Sequence, residues 1–385
     1  MRAGLRRGAL FVLFGVAASL VAAPAHAHEK WFLDSDGYGL RWDLFFGPLP
    51  LALVGAALLV TLIASFLWRA RGRGFVPGPE AFGAGEGTRA LFYGLVPLIL
   101  GVHVAVPLLV NGVQGNLFSP DNEIPGVWSN LLGFAETMIA LSLFYGAFTR
   151  VAASGLAALW VAGLFLVGVE PMLDNLLYLG FAAFFFLAGR GPYSVDRLLL
   201  PRLEPPEHLA RYALPAARVG LGASFVVVAF TEKLANLPLG LAFLEEYPLN
   251  FAAGLGLPIP DSLFVLGAGT VELLVGLWLL LGIFPREIVL IALVPTNLTL
   301  TVFNWSELIG HLPIYGLFAV LLLWGSGKDL PLFVRGMREG PKAPAHEHAD
   351  EAPAAAPSGE NGRGSASTTV GGRKGPAPRD GVDAG

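Results

Sequence analysis

Cysteine is absent from this chain of 385 residues, and charged residues make up only 14% of it. The lack of thiols excludes disulfides, thiolate zinc sites, iron–sulfur clusters and covalently attached c-type haem. The net charge of −4 and the scarcity of basic residues exclude a nucleic-acid-binding surface. A soluble domain has about 25% charged residues. The chain instead has 54% hydrophobic residues, which predicts an integral membrane protein that has the lipid bilayer as a partner.

The two ends of the chain differ in composition from its middle. Residues 1–27 combine an arginine-rich start, an apolar run over 10–21 and the triplet Ala25-His26-Ala27. This pattern is typical of a secretory signal peptide that is cleaved after residue 27, and an uncleaved signal anchor is the alternative. Residues 340–385 contain no Leu, Ile, Phe, Tyr, Trp or Met, which predicts a disordered tail.

Hydropathy predicts an all-α integral membrane fold with nine transmembrane helices. The apolar segments are 46–68, 90–112, 127–148, 151–168, 173–189, 212–231, 263–284, 287–303 and 307–326. A cleaved N-terminus outside the membrane puts 14 of the 17 Lys and Arg residues of 28–339 on the cytoplasmic side, as the positive-inside rule requires. We therefore expect a multi-pass protein of the bacterial cytoplasmic (inner) membrane, with an extracytoplasmic segment 28–45 and a cytoplasmic tail.

Two parts of the chain repeat each other at a spacing of 136 residues. The pairs that match are Gly133 and Gly269, Glu136 and Glu272, Leu141 and Leu277, Leu143 and Leu279, Gly146 and Gly282, Phe148 and Phe284, and Arg150 and Arg286. Each copy has an even number of spans, so both copies keep the same orientation in the membrane. The sequence therefore predicts two parallel four-helix repeats, 88–191 and 211–327, with the helix at 46–68 outside them.

Glu136 and Glu272 are the acids that the predicted spans carry at depth. A charged carboxylate at the bilayer centre costs about 2.5–3.5 kcal/mol on insertion scales. Two acids at matching positions of a repeat therefore indicate a paired or protonated role, and we take both as candidate catalytic residues that handle protons. A structural hydrogen bond between helices is the alternative.

Four further ionisable residues are candidates for cofactor binding: His103, Lys233, Glu307 and His311. The predicted topology places all four toward the outer side of the membrane, and Glu307 and His311 share one helix face because they are four residues apart. The two histidines could also ligate a b-type haem, a less favoured hypothesis. Hydrogen bonds between helices are the alternative for both.

Cleavage after residue 27 makes His28 the first residue of the mature chain. An N-terminal histidine offers its α-amine and its imidazole to one metal ion. This is half of a histidine brace, and it resembles the copper sites of lytic polysaccharide monooxygenases and particulate methane monooxygenase. A second imidazole would have to come from His103 or His311 through the fold, and an accidental histidine is the alternative.

Three motifs of the second repeat resemble the DoxX-like family of four-helix membrane proteins, which includes the DoxD membrane subunit of thiosulfate:quinone oxidoreductase. They are FTEKLANLP at 230–238, GAGTVELLVGLWLLLGIFPR at 267–286 and HLPIYG at 311–316. The resemblance carries over Lys233, Glu272 and Gly282, and it implies a membrane role near electron transfer with quinone as partner. The first repeat departs from the pattern, since Val110-Asn111-Gly112 stands near the place of the Glu-Lys-Leu segment.

These observations favour a redox-associated membrane subunit, or a subunit of a quinone-linked oxidoreductase, with a redox partner subunit. It would bind quinone or a similar lipid-soluble carrier in the outer half of the membrane. Two alternatives stay open. One is an extracytoplasmic copper-binding or transport protein that uses His28, and the other is a membrane scaffold or assembly factor without catalysis.

Overall fold

The computed structural model describes residues 28–35, 37–252, 256–325 and 329–339. The expected signal peptide, 1–27, and the expected disordered tail, 340–385, lie outside the described residues. Within the described ranges the fold is helical and has no strand. The α-helices are α1 Trp42–Phe45, α2 Pro48–Arg71, α3 Glu86–Gln114, α4 Val127–Tyr145, α5 Thr149–Leu166, α6 Val169–Asp174, α7 Leu176–Ala188, α8 Val195–Leu199, α9 Glu207–Val228, α10 Leu237–Glu246, α11 Asp261–Leu281, α12 Pro285–Trp324 and α13 Leu330–Glu339.

Eight helical stretches of the described residues are long and apolar enough to cross a bilayer. They are Pro48–Arg71, Glu86–Gln114, Val127–Tyr145, Thr149–Leu166, Glu207–Leu234, Asp261–Leu281, Pro285–Phe303 and Trp305–Trp324. Each coincides with one of the nine predicted segments, so the prediction of a multi-pass helical membrane protein is confirmed. The remaining segment, 173–189, corresponds to α7, a shorter apolar helix of 13 residues.

Helix α12 has 40 residues, which is twice the length that a single span needs. A straight helix would separate Arg286 from Leu322 by about 54 Å at 1.5 Å per residue. However, the Nε atom of Arg286 donates a hydrogen bond to the Leu322 carbonyl at 2.7 Å. Likewise, the Tyr315 hydroxyl donates to the Thr296 carbonyl at 3.0 Å. The helix therefore doubles back where its two apolar stretches meet, between Phe303 and Trp305.

Close backbone approach at glycine determines how the central helices pack. Helix α9 packs most extensively against α7 and α11. At the contact with α7, a Cβ atom added to Gly220 would lie 2.5 Å from the Cα atom of Gly180. At the contact with α11, a Cβ atom added to Gly222 would lie 2.8 Å from the Gly276 carbonyl oxygen. Such contacts allow the dispersion attraction that drives helix association in lipid.

Residues 136 positions apart have similar backbone conformations. Phe148 and Phe284 both have a positive φ, of 53° and 45°, although neither is glycine. Arg150 donates a hydrogen bond from Nε to the carbonyl of Phe186 at 3.2 Å. The Arg286 bond to Leu322 described above joins the two positions that lie 136 residues further along. The sequence match between the two halves is therefore accompanied by a match in local structure.

Candidate functional site

The first residues of the described chain lie inside the helix bundle, where they meet a group of charged side chains. The 3-10 turn Glu29–Trp31 follows His28. Residues of this turn contact Asp174 of α6 and Lys233, which follows α9, and Lys233 in turn contacts Glu272 of α11. We call this group the ion network, and its members are His28, Glu29, Lys30, Glu170, Asp174, Glu232, Lys233 and Glu272.

A π-helical segment supplies the central part of the ion network. Helix α9 changes from α-helical to π-helical geometry over Ala229–Leu234. Short π segments are rare and occur frequently at functional sites. This one carries Thr231, Glu232 and Lys233, and the side chains of all three are buried. Two adjacent charged residues are therefore both directed into the protein interior.

Lys233 is the cation at the centre of the ion network. Its Nζ atom lies 3.2 Å from the Glu272 carboxylate. The same atom lies 3.5 Å from Glu29 and 3.5 Å from Glu232. Only 1% of Lys233 is exposed. One buried ammonium group therefore contacts three buried carboxyl groups and offsets part of their negative charge, and a buried charge without such a partner is strongly destabilising.

Glu232 holds the N-terminal residues in place. Its Oε2 atom accepts a hydrogen bond from the Glu29 backbone amide at 3.0 Å. Its Oε1 atom lies 3.3 Å from the Nδ1 atom of His28. Both carboxylate oxygens of Glu232 therefore contact residues that are more than 200 positions away in the sequence.

Lys30 extends the ion network toward the surface. Its Nζ atom donates hydrogen bonds to Asp174 at 2.7 Å and to Glu170 at 2.9 Å. Asp174 also accepts a hydrogen bond from the Thr231 hydroxyl at 2.8 Å. The side chain of Glu170 is 41% exposed and that of Asp174 only 8%. The network therefore runs from the accessible Glu170 to the buried Glu272.

Aromatic contacts place His28 next to His311. The ring of His28 stacks on Trp31 with a centroid distance of 4.3 Å, and it stacks on His311 at 5.6 Å. Trp31 in turn packs on Gly310, where a Cβ atom would lie 2.1 Å from its ring. The Nδ1 atom of His311 lies 3.2 Å from Glu307. The buried pair Glu307 and His311 therefore adjoins the ion network through His28.

The pKa values of the N-terminal residues reflect both burial and neighbouring charge. Burial raises the pKa of Glu29 to about 8, because it disfavours the carboxylate more than Lys233 favours it. Burial alone would lower the pKa of Lys30, but Asp174, Glu232 and Glu170 raise it above its usual value.

The structure brings together five of the residues that the sequence singled out. His28, Lys233 and Glu272 belong to the ion network, and Glu307 and His311 adjoin it. Glu29, Lys30 and Asp174 are members of the site that the sequence did not predict. The signal available in the sequence was the run of ionisable residues at 28–30, directly after the predicted cleavage point. A disordered or purely interfacial segment does not explain why such a run occurs in a chain whose spans also carry acids.

Glu136 and His103 lie outside the ion network. Glu136 accepts a hydrogen bond from the Phe118 backbone amide at 3.1 Å, and it is fully buried. The Phe118 carbonyl accepts from Asn111 at 2.9 Å. The Nδ1 atom of His103 lies 2.7 Å from the carbonyl oxygen of Ile99, and the His103 side chain packs against Gly316. The Glu136 bond reaches the loop between α3 and α4, and the His103 contact lies within α3, so neither is a hydrogen bond between two helices.

Two small cavities adjoin the ion network, with volumes of about 30 Å³ and 20 Å³. His28 lines both of them. A cavity of this size holds one or two water molecules, whereas sites for drug-sized ligands measure about 300–1,000 Å³. Neither a quinone ring nor a haem fits among these residues as they are packed.

The described residues contain no group of three or more His, Asp or Glu side chains that could hold a metal ion. His28 and His311 are close, but their rings are stacked at an angle of 28°. The lone pair of an imidazole nitrogen lies in the plane of its ring, so stacked rings do not direct their nitrogens at a common ion. The geometry therefore does not fit a copper site shared by these two histidines.

No family model, curated protein or solved structure matches the chain. The resemblance to the DoxX-like family consequently depends on the three sequence motifs of the second repeat. The charges that the structure brings together carry the functional argument.

Proposed function

We propose that the chain forms nine spans, eight of them in two parallel four-helix repeats of the DoxX-like type. In this arrangement α3, α4, α5 and α7 correspond to α9, α11 and the two limbs of α12. The repeated φ values and arginine hydrogen bonds support the proposal. The contacts between the repeats support it too, since α7 packs on α9 while α12 packs on α3. Helices α6 and α7 together form the ninth span in this proposal, since α6 directly precedes α7 in the chain.

The same proposal includes an orientation. The basic residues of the chain support a location in the bacterial inner membrane with residues 28–45 outside and the C-terminal part in the cytoplasm. The C-terminal end of α9 and the start of α11 then face the extracytoplasmic side. Glu272 lies eleven residues into α11, or about 16 Å along the helix axis. The ion network thus extends from the outer surface toward the middle of the membrane.

Within this frame we propose that the protein is a redox-associated membrane subunit whose ion network handles protons. The observation that carries the proposal is the contact of one buried ammonium group, Lys233, with three buried carboxylates inside a transmembrane bundle. Intramembrane ionisable residues of this kind are costly and are typical of proton relays and ion pathways. Glu272 holds and moves the proton, while the Lys233 ammonium stays charged and offsets the negative charge of the acids around it.

The proposal assigns no lipid-soluble carrier to the interior of the ion network, because its cavities are only large enough for water. A quinone or a similar carrier would contact the protein elsewhere, at a surface shared with a partner subunit. Glu136 has a different role in this proposal, since its contact with Phe118 lies outside the network.

Electron transfer in native membranes tests the proposal. A deletion strain should lose at least one activity among membranes supplied with different electron donors, and the intact gene should restore it. The Glu272→Gln variant should restore it poorly, because the amide cannot release a proton or balance Lys233. The metal, quinone and haem contents of the purified protein should be measured together, since bound copper or haem would favour the alternatives.

Glu136→Gln is the matched control. It makes the same chemical change at the corresponding position of the first repeat, where the carboxyl group only accepts a backbone hydrogen bond. This variant should restore the activity. Deletion membranes that keep every electron-transfer activity, or an active Glu272→Gln protein, would overturn the proposal and favour a scaffold role.

A further inference from the structure

The two cavities beside the ion network lie on different sides of the His28 environment. The smaller one has Asp174, Glu232 and Tyr178 in its lining. The larger one has Glu272, Ser224 and His311. His28, Leu177 and Ile314 line both. One titratable side chain, the His28 imidazole, is therefore shared by two cavities that both have polar side chains in their lining.

Both cavities meet the requirements for bound water. A water molecule needs roughly 10–15 Å³ of such space and two to four polar partners. The volumes of about 30 Å³ and 20 Å³ exceed this minimum. Each lining supplies at least three side chains with hydrogen-bonding oxygen or nitrogen atoms, whereas cavities that stay empty are lined by apolar groups.

We propose that water in these two cavities and the His28 ring form a proton path from the outer surface to Glu272. The path begins at Glu170, whose side chain is 41% exposed. It continues through Asp174 into the smaller cavity, passes the His28 ring and enters the larger cavity, which Glu272 lines. The inference rests on the proposed function and identifies the proton as what the network exchanges and the outer side as its source.

The imidazole ring provides the transfer step between the cavities. One ring nitrogen accepts a proton from water in the smaller cavity, and the other nitrogen releases its own proton to water in the larger cavity. No net charge is left on the ring after this exchange, and a flip of the ring restores the first tautomer for the next transfer. The contact between Nδ1 and Glu232 places this nitrogen on the side of the smaller cavity.

Stacking keeps His28 in this place independently of its ability to transfer protons. The ring packs against Trp31 and His311. A phenyl ring preserves this stacking but has no titratable nitrogen. His28→Phe therefore removes the transfer step and keeps most of the packing. Ile314→Phe provides an independent variant, since it fills space in both cavities and leaves every titratable group in place.

The experiment follows deuterium exchange at Glu272 in the full-length protein, reconstituted in lipid nanodiscs. Infrared difference spectra are recorded after a change from H2O to D2O buffer. The Glu272 band is assigned by its absence in Glu272→Gln. We expect His28→Phe and Ile314→Phe each to slow the exchange at Glu272 by about a hundredfold, as loss of a general acid–base group does. His103→Phe is the matched control and should exchange at the wild-type rate.

A cryo-electron microscopy map of the same nanodisc sample should show ordered water in both cavities. Wild-type exchange rates in both His28→Phe and Ile314→Phe would overturn the path. Dry cavities in a map that shows other buried waters would overturn it as well. These failures leave the dependence of electron transfer on Glu272 unaffected, so they are distinguishable from failure of the proposed function.

Discussion

The ammonium nitrogen of Lys30 lies 2.7 Å from the carboxylate of Asp174, which is 144 residues away in the sequence. Next to Lys30, the Glu29 side chain contacts Lys233 in the π-helical segment that continues α9. Adjacent residues of the N-terminal turn thus bind α6 on one side and α9 on the other. The N-terminal segment consequently joins the two halves of the helix bundle by ionic contacts.

Replacement of Lys30 by Gln should loosen this connection. The change leaves Asp174, which is 7% exposed, without its cation. Loss of one partner from a largely buried pair costs about 3–5 kcal/mol, and the exposure of Glu170 moderates the loss. We expect faster hydrogen exchange of the amides of residues 28–32. Lys30→Arg keeps the charge and should preserve most of the protection, and equal exchange in Lys30→Gln and the wild type would contradict the prediction.

Replacement of Lys233 by Met should destabilise the whole protein. Three buried carboxylates would then share no ammonium group, and the expected loss is about 3–5 kcal/mol. Thermal unfolding in detergent, followed by size-exclusion chromatography, measures the decrease in Tm. A second substitution, Glu272→Gln, removes one of the three negative charges. The double variant should therefore be more stable than Lys233→Met alone, and additive losses would contradict the ionic explanation.

The docked N-terminal segment should become less stable as pH rises from about 4.5 to about 8. The pKa of Glu29 is about 8 in the folded protein and 4.5 in its reference state. Between these values the docked form binds a proton that the released form has lost, so each rise in pH favours release.

Hydrogen exchange of residues 28–32 at several pH values, corrected for the intrinsic rate, checks this dependence. Glu29→Gln removes the titratable group whose pKa changes on docking. In this variant, the exchange of these amides should depend little on pH above pH 6. Protection of residues 28–32 that increases with pH in the wild-type protein would contradict the prediction, and it would show that Lys233 keeps Glu29 ionised.

The membrane architecture could be predicted because it depends on composition and periodicity. Apolar runs locate eight spans directly, since lipid requires about 20 apolar residues for each crossing helix. The α7 segment was harder to judge, because Asn175 interrupts the helix between α6 and α7. The reversal inside α12 also agrees with the sequence, in which polar residues separate the segments 287–303 and 307–326.

The candidate site was predictable only in part. Lys233 and Glu272 are conspicuous because charge is rare inside spans. The roles of Glu29 and Lys30 depend on where the N-terminal segment folds, and contacts over more than 140 residues cannot be derived from local pattern. Glu136 is the converse case, in which a match in sequence is not accompanied by a match in contacts. It matches Glu272 in sequence, but the first repeat contains no lysine, and the fold supplies the Phe118 backbone amide as its partner instead.

Helices α7 and α9 approach each other closely at a pair of glycines, Gly180 and Gly220. Gly220→Ala should be destabilising, because the added Cβ would lie 2.5 Å from the Cα atom of Gly180 and 2.9 Å from its backbone nitrogen. Backbone atoms cannot move aside as a flexible side chain does, so the helices must separate, at a cost of about 1–3 kcal/mol. Gly267→Ala in α11 is the control, since its Cβ would have no neighbour within 4 Å. In that position alanine should be neutral or stabilising by about 0.5–1 kcal/mol through its higher helix propensity. Comparison of the two Tm values separates close packing from general effects of glycine replacement, and equal Tm values would show that the α7–α9 contact does not depend on close backbone approach.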